Sequence, residues 1–194
     1  MPAPSERPRL HNSIDLAGGQ DRLRDAVIYV ADAYRAAVRF GQVKLNKTIW
    51  RADFRSFAER GTPVTGRRYQ RLPQGPALVE WKPLEREMVA RGLIEIQIED
   101  LGSGYIEERI IPKVGYCSNY LSRLDLDFLD EAIQHYWDKT ARESSDESHG
   151  VAWRTHKNRS PLPYELAILS DTRPRVEQMR RLAVLGQRRR WASS

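Results

Sequence analysis

Metal, nucleophilic and acid–base chemistry each need particular side chains at particular spacings, and the reactive residues of this chain rarely meet those needs. Histidines stand at positions 11, 135, 149 and 156. His149 and His156, with Asp146, have the composition of a metal site, but seven residues apart on one helix they sit two turns from each other, so solvated or capping roles are expected. Cys117 is the only cysteine. It has no disulfide partner, no second thiol with which to share a metal and no histidine at a fixed spacing to activate it, and reads as a small buried filler. Asp125 and Asp127 precede an apolar run, where N-capping by Asp125 explains a carboxylate better than paired acid and base. Gly102-Ser103-Gly104 is a turn signal, since no GxxxxGK[ST] phosphate loop occurs in the chain. The expectation is a protein that is not an enzyme and uses neither cofactor nor metal.

Binding chemistry is better represented. Lys44, Lys47, Arg51 and Arg55 recur at helical steps that align them on one side, and Arg188-Arg189-Arg190 stands in the C-terminal tail. The net charge of +6 is unevenly placed: residues 1–71 carry 14 basic and 7 acidic side chains, residues 72–172 carry 11 and 18, and residues 173–194 carry 7 and 1. Such a distribution suits a solvated basic face, an internal pairing of basic ends with an acidic middle, or an anionic partner. Residues 43–112 follow the order helix, short strand, helix, hairpin, which is that of a winged helix. Phosphate recognition needs Lys and Arg in the wing. This hairpin instead carries Glu95, Glu99, Asp100, Glu107 and Glu108 against Arg109 and Lys113. Nucleic acid is therefore the weaker partner reading. Asp53 differs from the other acids: between Ala52 and Phe54 on a wide apolar helix it needs a backbone N–H, Tyr69 or an arginine as partner.

The elements that must hold these residues follow from periodicity. Leu23, Val27, Val30, Tyr34 and Val38 predict a helix from Asp21 to Phe40 that Gly41 ends. A second, central helix spans 43–60, with Leu45, Ile49, Ala52 and Phe57 widened by Trp50, Phe54 and Ala58, and stops at Gly61 and Pro63. A third runs from Val79 to Ala90. Ile94, Ile96 and Ile98 alternate with Glu95, Gln97 and Glu99 in a half-buried strand that turns at residues 102–104 and returns from Tyr105 to Pro112. Another helix, Leu126 to Arg142, buries Leu129, Ala132, Ile133, Tyr136 and Trp137. The polar ESSDES patch is a loop or the start of a short helix through Trp153, and a last helix runs from Arg175 to Arg190. With 40% hydrophobic residues in 194, a chain of this size can bury roughly 70% of its unfolded surface. No apolar run reaches the ~20 residues that cross a bilayer, and residues 1–13 hold no apolar signal core, so a cytoplasmic protein away from membranes is expected.

Two stretches resemble a known family. Residues 44–76, KLNKTIWRADFRSFAERGTPVTGRRYQRLPQGP, carry K-L-x-K, A-D-F, G-x-P-x-T-G, an aromatic three residues on and then G-P; residues 144–165, SSDESHGVAWRTHKNRSPLPYE, carry S-H, a nearby Trp and Pro-Tyr-Glu. Both resemble the Panacea domain, the SocA-like antitoxin domain. The likeness extends over about Asp21 to Asp171. Together with the periodicity it points to a mainly helical α+β fold, compact, with one antiparallel β-hairpin: the antitoxin domain spans 19–171, while a flexible tail at 1–18 and a basic C-terminal helix at 172–194 are read from composition and periodicity and lie outside the resemblance. It also implies an antitoxin that neutralises a toxin protein encoded nearby through direct contact, in SocA-like members as an adaptor handing the toxin to a protease. The alternative is a winged-helix-like DNA-binding regulator. Candidate partner contacts are the basic face (Lys44, Lys47, Arg51, Arg55), Asp53 with Tyr69, a polar-aromatic cluster of His149, Trp153 and Tyr164, and the terminal stripe Val176, Met179 and Leu182.

Overall fold

A computed structural model describes residues 10–37, 39–102, 104, 106–117 and 120–168. Everything is arranged around one helix, α2 (Gln42–Arg60), whose Leu45, Ile49, Ala52, Phe54, Phe57 and Ala58 are buried. It ends as its sequence requires: Gly61 turns left-handed at φ 83° and its N–H bonds the Phe57 carbonyl. Packed against α2 are α1 (Gly19–Ala33), α4 (Arg123–Tyr136), the short α5 (Ala141–Glu147) and the 3₁₀ turn Tyr164–Ile168. α3 (Trp81–Ala90) and α6 (Val151–Thr155) complete the helices among the described residues. The chain is mainly helical α+β, as expected.

There are two antiparallel hairpins where the sequence predicts one. β3 (Ile94–Asp100) and β4 (Ile106–Pro112) pair from Ile94↔Pro112 to Asp100↔Ile106. β1 (Tyr69–Leu72) and β2 (Gly75–Leu78) form the unforeseen one, closed by the two-residue turn Pro73-Gln74. Its prolines and glycine read as punctuation, yet Pro76 is tolerated because a two-stranded ribbon has only edges. The Val79 N–H bonds the Arg68 carbonyl, so α3 starts at Trp81 with Pro83 in its first turn.

Other boundaries move for identifiable reasons. α1 stops at Ala33 and tightens into a 3₁₀ turn, Tyr34–Ala36, instead of reaching Phe40. There the Arg109 guanidinium donates to the carbonyls of Arg35 and Ala37, and Tyr34 stacks on Phe40 at 4.4 Å. Gly41 begins α2 rather than ending α1; a β-carbon there would come within 2.6 Å of Glu107 Cγ. The helix expected over 126–142 is two helices, each with a capping box, Ser122 with Asp125 and Thr140 with Glu143. Asp125 is thus the third residue of its helix and not the N-cap. Burial pushes its carboxyl up, but Arg60, Ser122 and Arg22 bond it and hold it below the usual carboxylate range.

Residues 10–18, expected to be loose, are laced to the body: Ile14 N–H bonds the Gly66 carbonyl, Tyr164 N–H bonds the His11 carbonyl, and His11 pairs with Glu165 at 2.6 Å. Cys117 is exposed, not buried filler. No helix among the described residues is long and apolar enough to cross a membrane. The helix expected from Arg175 to Arg190, with Val176, Met179 and Leu182, lies outside the described residues.

Candidate functional site

Steps of three and four residues place Lys44, Lys47, Arg51 and Arg55 on one side of α2, yet this side is not a solvated basic face. Lys44 and Lys47 are each only 2% exposed. Lys44 Nζ donates to the carbonyls of Arg39 (3.1 Å) and Trp137 (2.6 Å) and lies over the Tyr34 ring. Lys47 Nζ donates to the Pro76 carbonyl at 2.6 Å. Arg51 and Arg55 are closer to the surface, but both bond Glu131, at 2.9 and 2.6 Å, and Arg55 also holds Glu59. Loop carbonyls that have no ladder partner must find donors, and the two lysines serve as those donors. Burial pushes the Lys44 amine down to about 8 and the Lys47 amine to about 7.

Lys47 belongs to a clasp on the β1–β2 turn. The carbonyls of Leu72, Pro73, Gln74 and Pro76 take donors from Trp153 Nε1 (2.7 Å), the His149 ring, Ser145 Oγ (2.9 Å) and Lys47 Nζ in turn. The His149 ring stacks on Trp153 at 3.8 Å, and the Arg71 guanidinium lies 3.9 Å from the indole centroid. Gly75, at φ +96°, makes the approach feasible: a β-carbon would sit 2.1 Å from Ser148 Oγ and 2.7 Å from Lys47 Nζ. Burial pushes the His149 imidazole below its ordinary value, and the neighbouring Lys47 charge adds to this. So K-L-x-K, G-P and S-H with its Trp, distant in sequence, meet at one hairpin turn.

A second cluster surrounds Asp53, which is fully buried. Its carboxylate accepts from the Thr65 N–H and hydroxyl, both at 2.5 Å, and from Tyr69 Oη at 2.7 Å. Tyr164 Oη lies 3.1 Å from the same carboxylate and donates to the Arg67 carbonyl at 2.7 Å. Burial outweighs these bonds and leaves the Asp53 carboxyl above its usual range; Tyr69 and Tyr164 are pushed well up, by burial first and by the Asp53 charge. Phe54 and Phe57 pack on the Tyr164 ring at 5.3 and 5.4 Å. Of the three partners the sequence allows for Asp53, a backbone N–H and Tyr69 are both present and, among the described residues, an arginine is not, and the Thr65 hydroxyl joins them.

The cluster expected of His149, Trp153 and Tyr164 is divided: the first two clasp the hairpin turn and Tyr164 closes over Asp53. Sequence reasoning also passed over Arg71, Ser145 and Ser148, whose roles depend on chain segments more than 70 residues apart. Both clusters turn polar atoms inward onto backbone carbonyls or one another, although His149 Nε2 and Arg71 Nε of the first are buried without a hydrogen-bond partner among the described residues. Among the described residues no three His, Cys, Asp or Glu side chains stand close enough to hold a metal ion.

A family model described as antitoxin SocA-like, Panacea domain, matches residues 45–154, more than half of the chain. No curated protein and no solved structure matches.

Proposed function

We propose a function from one premise, that the chain belongs to the SocA-like antitoxin family, the Panacea domain. It is the antitoxin of a toxin–antitoxin pair: it binds a toxin protein encoded nearby in the cytoplasm and neutralises it by surface contact, with no bond made or broken at its own side chains. The reading includes the SocA-like variation in which the bound toxin is passed to a protease. The observation that carries it is the family match over 45–154. The inward orientation of the chain's motif residues supports it, because Lys47, Asp53, Tyr69 and Tyr164 hold the fold and leave the outer surface to meet a partner. A DNA-binding reading loses the cations of α2, since Lys44 and Lys47 are buried on carbonyls and Arg51 and Arg55 are paired with Glu131, and of the residues it named keeps only Arg188-Arg189-Arg190, outside the described residues.

Co-expression with the adjacent reading frame tests the proposal. The neighbour alone should arrest growth, the pair should grow, and the two proteins should co-purify. A neighbour that is harmless by itself removes the reading. If a protease takes part, the toxin's half-life in cells should shorten when this chain is present; an unchanged half-life leaves neutralisation by blocking.

A further inference from the structure

Two stretches without a single acid lie side by side in the fold. Residues 66–79 and 148–164 hold no Asp or Glu, yet carry Arg67, Arg68, Arg71, Arg154, Lys157 and Arg159. The second stretch returns along the edge of β1 that β2 leaves open: the Arg71 N–H bonds the Ser160 carbonyl at 3.0 Å, the Arg159 N–H bonds the Arg71 carbonyl at 2.7 Å, and the Leu162 N–H bonds the Tyr69 carbonyl at 2.9 Å. Arg159 is thereby set beside Arg71. The Ser160 N–H and hydroxyl both bond the Lys157 carbonyl and close a turn in which Lys157, Asn158 and Arg159 are exposed. Among the described residues Arg159 is the only non-glycine at positive φ, 63°, so the chain tolerates a strained backbone at this cation. The Arg71 guanidinium lies on Trp153, and Arg154, next on α6, donates to the His149 carbonyl at 3.1 Å. Glu80 is already held by Arg67 and Arg68, and among the described residues no carboxylate pairs with Arg71, Lys157 or Arg159.

We propose that this face, centred on Arg71, Lys157 and Arg159, binds the phosphate backbone of a nucleic-acid duplex. The assignment stands apart from the antitoxin reading and gives the chain a second binding activity. The unpaired cations call for an anion, and the chain's own remaining segment does not supply it: residues 169–194 bring Asp171 and Glu177 against seven arginines. A second copy would set cations against cations. An acidic protein is the weaker fit, because protein interfaces are built around an apolar centre, and none of the exposed large apolar side chains among the described residues belongs to either stretch. Interfaces with nucleic acid are more polar and far more positive. A single strand would need open aromatic faces on which to stack bases, whereas the Trp153 indole is taken by the His149 ring and the Arg71 guanidinium. What remains is a set of fixed cations suited to phosphates on a duplex.

The experiment uses the full-length chain and short fluorescein-labelled DNA and RNA duplexes of mixed sequence, followed by anisotropy from about 50 to 200 mM KCl. The unmodified chain should bind with an affinity that falls as salt rises, and the duplex bound more tightly names the nucleic acid. Lys157→Gln with Arg159→Asn removes two charges and puts a residue tolerant of positive φ at 159. It should bind roughly tenfold more weakly and lower the slope of log affinity against log salt by about 2, with the melting temperature kept. Lys157→Arg with Arg159→Lys, which preserves the charge, should bind as the unmodified chain does. The loss should also appear in the background Arg188→Gln, Arg189→Gln, Arg190→Gln. Absence of binding by the unmodified chain overturns the proposal, as does an unchanged affinity and slope in the charge-removing variant or an equal loss in the charge-preserving one. Binding that disappears with the three tail arginines alone moves the site to the tail, and tighter capture of poly-glutamate than of duplex at equal charge assigns the face to an acidic protein; either result overturns it too. None of these outcomes touches the antitoxin reading.

Discussion

Replacing Lys47 by methionine separates a buried amine from a solvated one through pH alone. Lys47 is 2% exposed, its Nζ donates to the Pro76 carbonyl, and burial brings its amine down to about 7, against about 10.4 in an unfolded chain. Between those values the unfolded chain holds a proton that the folded chain has released. Stability contributed by this depressed group is therefore complete above the unfolded value and is lost as pH falls toward 7. The slope inside the window is about 1.4 kcal/mol per pH unit. Lys47→Met keeps an unbranched chain one atom shorter, leaves the Pro76 carbonyl without its donor and has no such slope. Urea unfolding of both proteins from pH 7.5 to 9.5 should then show the wild-type advantage growing by about 3 kcal/mol, or roughly 1–1.5 M in relative midpoint. Lys44 and the tyrosines titrate in both proteins and cancel in the difference. An advantage that stays constant with pH would mean that the amine is charged and wet in the folded state, and the basic face would be restored as a binding surface.

Asp53→Asn should destabilise by about 2–3 kcal/mol, because its amide turns donors toward the Thr65 and Tyr69 hydroxyls, whereas Tyr164→Phe keeps the ring packing and should lose about 1 kcal/mol; thermal unfolding in which Tyr164→Phe is the more damaging contradicts the assignment of Asp53 as the centre of that cluster. Gly75→Ala should lose about 3 kcal/mol or more, since it adds a β-carbon at positive φ against Ser148 and Lys47, and a wild-type melting temperature in that variant would show that the clasp is looser than its geometry. Cys117, being exposed, should react with Ellman's reagent in the native protein as fast as in the unfolded chain; protection would return it to the interior.

The features legible in the sequence are those decided within a few residues. The stripe of α2, its stop at Gly61 and the alternation of Ile94, Ile96 and Ile98 follow from local period and backbone freedom, and the need of Asp53 for a partner follows from its apolar neighbours. What stayed hidden depends on distant chain. Lysines at helical steps read as a solvated face, and nothing near Lys47 announces that a hairpin turn 29 residues later will need its amine. The hairpin itself was obscured by Pro73, Gly75 and Pro76, which break a strand pattern although a two-stranded ribbon can accept them. The polar-aromatic character of Tyr164 is legible, but its companion is not, because Asp53 lies 111 residues before it.

These long-range contacts also define the unit that must fold together, and it is larger than the segment the family match covers. Residues 45–154 contain Asp53, Thr65 and Tyr69 but not Tyr164, which shields the buried carboxylate and holds the Arg67 carbonyl. They contain Asp125 but not Arg22, which reaches from α1 to bond Asp125 and the carbonyls of Val64 and Tyr120. Tyr34, also outside the segment, bonds the Ile133 carbonyl and stacks on Phe40. Cutting the chain to 45–154 would strip Asp53 of the Tyr164 hydroxyl, the Arg67 carbonyl of its donor and Asp125 of Arg22, leaving Thr65, Tyr69, Ser122 and Arg60 to hold the two acids, at about 1–3 kcal/mol for every buried group left short of a partner. A domain of this size has only about 5–15 kcal/mol of net stability. The unit that folds together therefore runs at least from His11, bound to Glu165, through Ile168, with α1 and the closing 3₁₀ turn both helping to hold it.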